Sequence, residues 1–365
     1  MSEPVTAYLR YSDSVESPKA DEERVFDEIA ASMRRIAAMI NDRSRHATRS
    51  VHAKSHGLLK ADLVVADGLP EHLAQGLFKR AGKYPAIVRL STNPGDILPD
   101  SISTPRGLAV KIIGVQGEML PEHQGEVTQD LLTVNGKSFP NHDAAEFLHG
   151  LQILEKHVND SEALKQFVST GARAAETVLE AFHSPSAALL GFGHPETNLL
   201  GETFCTTAPL RYGDYIAKIC IEPSSANLKA LTHKRLETSG HSAVRDAIVD
   251  FFKKDTGVWD VKAQLCSDLI KMPVEDASVP WSEDLSPYVT VGQLIAEPQD
   301  AYSPARRIYV DEQLSFNPWH ALAAHRPLGN IMRARKKSYA ASSQFRHVSE
   351  SRPMTEPKSI AELPA

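Results

Sequence analysis

Cysteine is scarce in this chain, aromatic residues make up only 7% of it, and positive charge is not in surplus. Cys205, Cys220 and Cys266 are too few and too scattered for a disulfide framework or a CxxC zinc site. Each lies in an apolar or strand-like run, so three small buried hydrophobes are expected. The 40 basic residues are outnumbered by 46 acidic ones, a net charge of −6. That excludes the basic footprint of a general nucleic-acid or membrane-surface binder. No run reaches the ~18 apolar residues of a membrane span, and no apolar signal-peptide core follows Met1. These absences give the expectation of a cytoplasmic protein with reduced thiols. Neither an internal repeat nor a low-complexity tract is present. What is there, 42% hydrophobic and 24% charged residues over 365 positions, suffices for a large core.

Residues 1 to about 20 are polar and read as an arm. "DEERVFDEIAASMRRIAAMINDR" then carries Val25, Ile29, Met33, Ile36 and Ile40 at helical spacing, with acidic residues in its first turn as the helix dipole favours. From Gly57 the period changes. "GLLKADLVVADG", "YPAIVRLST", "RGLAVKIIGV" and "DLLTVN" are short β-branched runs punctuated by Gly, Pro, Asp and Asn. Residues 141–183 read as helical. Strand-like runs return in "LRYGDYIAKICIEPS", "GVWDVKAQLCSD" and "PYVTVGQLIAEPQ", with a short helix, "SAVRDAIVDFFKKD", between the first two. Two groups of strands around a helical excursion predict one closed antiparallel barrel rather than βαβ units. "LGNIMRARKKSYAASSQFRHV" reads as a late helix. The division expected is an arm and helix over 1–45, a barrel domain over 46–350 and an irregular tail over 351–365.

Two motifs carry chemistry. "RSVHAKSHG" puts His52 and His56 four residues apart among cations, a pattern open to a zinc pair, a basic loop or an active-site wall. Gly57 and the strand behind it interrupt the helix that a zinc pair would need. On the late helix, the step from Arg335 to Tyr339 overshoots a turn by roughly 40°, and the step to Arg346 falls roughly 20° short of two turns. All three side chains therefore share one face. A guanidinium beside a phenol favours the phenolate, and tyrosine is one of the few residues that hold haem iron. A surface helix with scattered arginines is the plainer alternative.

Taken together, these pieces resemble the haem catalase family, in particular its small catalase-related peroxidases. The family's R-x-V-H-A-K-x-x-G is matched at Arg49 to Gly57, and its R-x-x-x-Y, with an arginine seven residues on, at Arg335, Tyr339 and Arg346. "IVRLST" is similar to the family's R-F-S-T, and "TPRGLAVKI" to its D-P-R-G-F-A-V-K, with Thr104 where the family has aspartate. "VGQLIAEPQDAYSPARRIYVDEQLSFNPWH" follows the stretch that precedes the proximal helix. The similarity covers about Arg49 to Asn135 and Tyr212 to Arg346.

The resemblance implies an α+β fold: an antiparallel eight-stranded barrel with helical insertions, a C-terminal proximal helix and buried haem b. Tyr339 would be the axial iron ligand, with Arg335 hydrogen-bonded to its oxygen. His52 would be the distal acid–base residue, oriented by Ser91. Arg49, Arg89 and Arg346 would pair with the haem propionates, where guanidinium geometry suits carboxylates, and Val51 would contact the macrocycle. For the distal amide the chain reads Asp130-Leu131-Leu132-Thr133-Val134-Asn135. Without a gap Val134 takes that slot. A one-residue shift gives it to Asn135, the residue expected here, with a simple turn before Gly136 as the other reading.

The activity implied is haem-dependent reduction of hydrogen peroxide or organic hydroperoxides through a ferryl intermediate, with an organic electron donor as a second partner. "VNGKSFPNHD" lacks an aromatic and the arginine of the family's N-N-T-P-I-F-F-I-R-D, a shallower approach suited to bulky hydroperoxides and donors. A fatty-acid hydroperoxide isomerase of the allene oxide synthase kind is the near alternative, but those relatives tend to carry threonine where this chain has Val51. A non-enzymatic haem sensor or carrier ranks lower because His52 is present. Dimers or tetramers, common in the family, are the expected assembly. No nucleic-acid or membrane partner is expected.

Overall fold

The β-branched, strand-like segments fold, in the computed structural model, into a single antiparallel sheet, most of whose strands are buried on both faces. The structure describes residues 7–93, 95–102, 104–157 and 196–365; the helical reading over 158–183 lies outside them. The strands are β1 (Lys54–Val65), β2 (Gly82–Thr92), β3 (Arg106–Ile113), β4 (Thr128–Val134), β5 (Phe204–Cys205), β6 (Leu210–Tyr212), β7 (Tyr215–Pro223), β8 (Gly257–Leu265) and β9 (Val289–Ala296). β1 pairs with both β2 and β9, and the ladder continues from β2 through β3 to β4 and from β9 through β8 to β7. The two-residue β5 pairs with β4 at Val134↔Cys205 and with β7 at Phe204↔Ile221. That short strand closes a ring of eight, and β6 hangs from β7 as a hairpin. Closure removes the unpaired edges that an open sheet would present.

Inside the ring lie Leu59, Leu63, Val88, Leu90, Leu108, Val110, Ile219 and Val261, all nearly inaccessible. Four longer helices surround it: α1 (Glu22–Ser44), α2 (Ala144–His157), α3 (Ala243–Phe252) and α4 (Asn330–Ser349). Val244, Ile248 and Phe252 of α3 join the barrel core. The periodic residues of α1 form a second core with Leu148 and Leu151 of α2 and Ile331, Met332 and Ala334 of α4. Burying a large aliphatic side chain stabilises by about 1.5–3 kcal/mol, so this shared face holds α4 firmly on α1. Arg333 of α4 adds ion pairs to Glu16, Glu22 and Glu275. Among the described residues, no helix is long and apolar enough to cross a membrane.

The expectation of three unlinked cysteines is corrected. Cys205 and Cys220 face one another across the β5–β7 pairing and are joined as a disulfide, while Cys266 is free and buried. β5 has only two residues, too short to show a period, so its register against β7 is not visible in sequence. With a sequence separation of 15 between the two cysteines, the link restricts the unfolded chain by about 3 kcal/mol in the chain-entropy account. Thiol titration of the chain, unfolded without reductant, is expected to find one thiol, rising to three after reduction. Three thiols without reductant would refute the bond.

Candidate active site beside the barrel

Strand parity decides which side chains can meet outside the ring. On β2, Val88 and Leu90 point to the core, so Arg89 and Ser91 point outward. On β3 the outward positions include Gly107 and Ala109, and on β4 Leu132 and Val134. Three segments cover this outer face: residues 48–53 ahead of β1, the π-helical turn Ile308–Gln313 with Leu314 and Phe316 behind it, and α4. Between them lies a cavity with about 530 Å³ of space not filled by protein atoms. Arg49, Val51, His52, Arg89, Ser91, Arg335 and Tyr339, seven of the residues singled out in the sequence, line it together.

His52 sits just before β1 with φ of 54°, a left-handed conformation uncommon for a residue with a side chain and costing of order 1–3 kcal/mol. The turn aims its imidazole across β2 and β3. Ser91 Oγ lies 3.3 Å from its Nδ1. A Cβ on Gly107 would stand 2.8 Å from the imidazole Nδ1 and Cε1, so only glycine leaves room for the ring. The sequence contains that glycine in "TPRGLAVKI" but gives no sign of what it accommodates. Burial, reinforced by Arg89, Arg335 and Arg49, lowers the His52 pKa to about 3. The ring is therefore uncharged at neutral pH and able to accept a proton.

Across the cavity, Arg335 Nη2 donates to Tyr339 Oη at 2.8 Å, the pairing expected from their four-residue spacing. The guanidinium also lies 5.0 Å from the tyrosine ring centre. Arg49 Nη2 donates to the carbonyls of Val310 and Leu314, at 2.6 and 2.9 Å. Arg89 Nε donates to Asp311 at 2.8 Å, and Arg346 Nη2 to the Leu314 carbonyl at 2.9 Å. Burial opposes the Asp311 carboxylate, yet Arg89 and Arg49 hold its pKa below the ordinary value. Burial and then Arg346 and Arg89 push the Arg49 pKa well down. Arg346 is lowered to about 10, mainly by burial. Asp311, which sequence reading missed, is the carboxylate in contact with this cluster. Its signal was indirect: three arginines assigned to one place require an acid nearby.

Two sequence assignments, Asn135 and Arg346, are not on the cavity wall. Val134 stands there in place of Asn135. One residue along a strand reverses the face, so these two cannot both look outward. The Asn135 carboxamide instead accepts from the Arg106 backbone N–H at 2.8 Å and donates to Glu202 at 2.9 Å. Asn135→Ala is therefore expected to destabilise by about 1–3 kcal/mol, the cost of leaving buried polar groups unpaired. Its effect on hydroperoxide turnover should be within twofold, compared by denaturant melts and initial rates. His56 is buried in β1 with Nε2 3.0 Å from Thr92 Oγ1, away from the cavity and forming no pair with His52.

A group that carried carboxylates and a metal favouring phenolate would fit these residues. The buried Nε atoms of Arg49 and Arg346 have no hydrogen-bond partner, and the cluster has more guanidinium charge than Asp311 offsets. Buried charge without a counter-charge is costly, so an anionic partner is expected beside it. A hydrogen-bonded phenol and an uncharged imidazole lining one cavity are donor types that would suit a haem group. The fit concerns haem's charge and ligand chemistry.

The fold is the one catalases share. No family profile and no curated protein matches the chain. Solved structures do. A fungal catalase matches with a TM-score of 0.59 at 16% identity, over 95% of this chain and 66% of its own. A bacterial catalase gives 0.58 at 17% identity, over 98% and 68%. Catalase A from Saccharomyces cerevisiae gives 0.58 at 14%, over 95% and 68%. This chain thus spans about two thirds of the length of these proteins, and at such identity the likeness establishes the architecture.

Proposed function

We propose that the chain is a haem-dependent peroxidase with a catalase-like active site, acting on hydrogen peroxide or organic hydroperoxides and drawing electrons from a small organic donor. One observation carries the reading: an uncharged imidazole held by Ser91 and a tyrosine bonded to arginine line the same cavity beside a buried surplus of guanidinium charge. Haem, when bound, supplies the redox chemistry that splits the O–O bond. Tyr339 would hold its iron, Arg335 would keep the phenol oxygen polarised, and Arg49, Arg89 and Arg346 would neutralise its carboxylates.

The remaining steps belong to the protein. His52 accepts the proton from the inner oxygen of the hydroperoxide at its free imidazole nitrogen. Ser91 fixes the ring plane through Nδ1, so the transfer needs no reorientation. The same nitrogen returns the proton to the outer oxygen, which departs as water or an alcohol. This is general acid–base catalysis by one group, worth ~10²–10⁴-fold. Val134 presents an apolar wall where the amide of Asn135 was expected, so the outer oxygen lacks that donor. Loss of one preorganised donor typically costs 10²–10³-fold. Turnover of a second peroxide should suffer accordingly, which favours reduction by a donor.

The test is to load the purified chain with haem and follow its spectrum with hydrogen peroxide, cumene hydroperoxide and a fatty-acid hydroperoxide, with and without a reducing dye. Dye oxidation is the expected result. Gas evolution without dye would indicate a catalase, and dye-independent loss of the lipid substrate an isomerase. No reaction with any of the three would overturn the proposal.

A further inference from the structure

A second cavity, with about 1290 Å³ of space not filled by protein atoms, also reaches Tyr339 but is lined by residues the haem reading does not use. Among them are His123, at the end of the turn Pro121–His123, Glu126 just ahead of β4, and His320 in the segment leading to α4. β4 fixes that segment: the Asp130 N–H donates to the His320 carbonyl at 2.8 Å, and the Asn317 N–H to Asp130 Oδ2 at 2.9 Å. The rings of His123 and His320 stack almost parallel, 4.1 Å between centres and 10° between planes. Glu126 Oε2 lies 2.9 Å from His123 Nδ1 and 2.9 Å from His320 Nε2.

We propose that His123, Glu126 and His320 bind a divalent transition-metal ion of the zinc class, with a fourth coordination position open to the larger cavity. Two imidazoles and one carboxylate are the donor set of an open zinc site. Tetrahedral bonds of about 2.1 Å set ligand atoms about 3.4 Å apart, so each carboxylate–imidazole spacing needs to widen by about 0.5 Å, and the two stacked rings must turn out of parallel for both in-plane lone pairs to meet one ion. The three ligand atoms already lie within 4.8 Å of one another.

The surroundings supply an independent reason. A ligating imidazole ordinarily gives its other N–H to a carboxylate. His320 Nδ1 has Glu356 Oε1 3.6 Å away, and that oxygen is buried without a hydrogen-bond partner. Glu356 Oε2 is already taken by Lys111 Nζ at 2.8 Å and Thr128 Oγ1 at 3.1 Å. Thr128 Oγ1 also lies 2.9 Å from His320 Nε2, and it can turn wholly to Glu356 when Nε2 binds a metal. Lys111 faces both Asp130 and Glu356, so two carboxylates meet one lysine, and Glu126 stands against the other side of His320 at Nε2. A bound cation would offset that excess and link the connection before β4 to the segment that feeds α4.

The proposal does not depend on haem. Zinc chloride titrated into the chelator-treated full chain, read by calorimetry and by competition with a chromogenic chelator, should show one tight equivalent and a raised melting temperature. Glu126→Gln and His123→Gln should each abolish that equivalent while leaving the metal-free melting temperature within a few degrees. Glu356→Gln should weaken it about 10–100-fold, the usual effect of losing an outer-shell carboxylate. Tyr339→Phe should bind zinc as the native chain does, which separates this result from the fate of the haem reading. No tight zinc equivalent, or one that survives both Glu126→Gln and His123→Gln, would overturn the assignment.

Discussion

Replacing His52 by alanine is expected to slow the reaction of the haem-loaded chain with hydroperoxide about 10²–10⁴-fold, with haem still bound. The expectation follows from position and charge together. His52 lines the same cavity as Tyr339, and no backbone bond depends on its side chain, so circular dichroism serves as the folding control for the variant. What disappears is the proton acceptor. With the imidazole pKa lowered to about 3, the native ring is already free of its proton across pH 5–8, and the native rate should be flat there. The linkage has the matching sign. The unfolded chain takes up this proton first as pH falls below the ordinary histidine value, so His52 contributes a loss of stability that grows down to about pH 3 and is absent at neutral pH. Stopped-flow traces of native and variant chains at several pH values test both statements. A native-like rate in His52→Ala would remove this residue from the chemistry.

The barrel could be read from sequence because its strands are short β-branched runs punctuated by Gly, Pro, Asp and Asn. In "YPAIVRLST" both faces are buried, and Arg89 and Ser91 were placed by their resemblance to R-F-S-T rather than by any polar–apolar alternation. The pairing of Arg335 with Tyr339 was legible from their four-residue spacing on a helix. What could not be read depends on register or on meetings between distant segments. Asn135 was placed by a one-residue shift, and on a strand one residue is the difference between cavity and core. Cys205 and Cys220 meet only because a two-residue strand closes the ring. Gly107 carries its meaning in an absent Cβ, visible only when the imidazole lies against it. His123, Glu126 and His320 come from segments with no shared period, brought together by the backbone bonds of β4.

Tyr339→Phe should yield a folded chain that no longer retains haem. The phenyl ring fills nearly the same space, so packing is preserved, but it offers no oxygen to iron. In the native structure the Tyr339 hydroxyl bonds to Arg335, a contact that does not anchor α4. That helix is held by Ile331, Met332 and Ala334 against α1, by Asn330 Nδ2 donating to Glu22 at 2.7 Å, and by Arg333 with its three carboxylates. Arg335→Leu should have a graded effect. The ligand oxygen remains but loses its donor, which for an outer-shell partner weakens binding about 10–100-fold. Iron content and the visible absorption of the purified proteins, with circular dichroism as the control for folding, distinguish the three chains. If the phenylalanine variant carries haem with the native ferric spectrum, iron is held elsewhere and Arg335 has no phenolate to support. If the native chain itself takes up no haem while the variant is equally well folded, the buried guanidinium cluster serves some other anion.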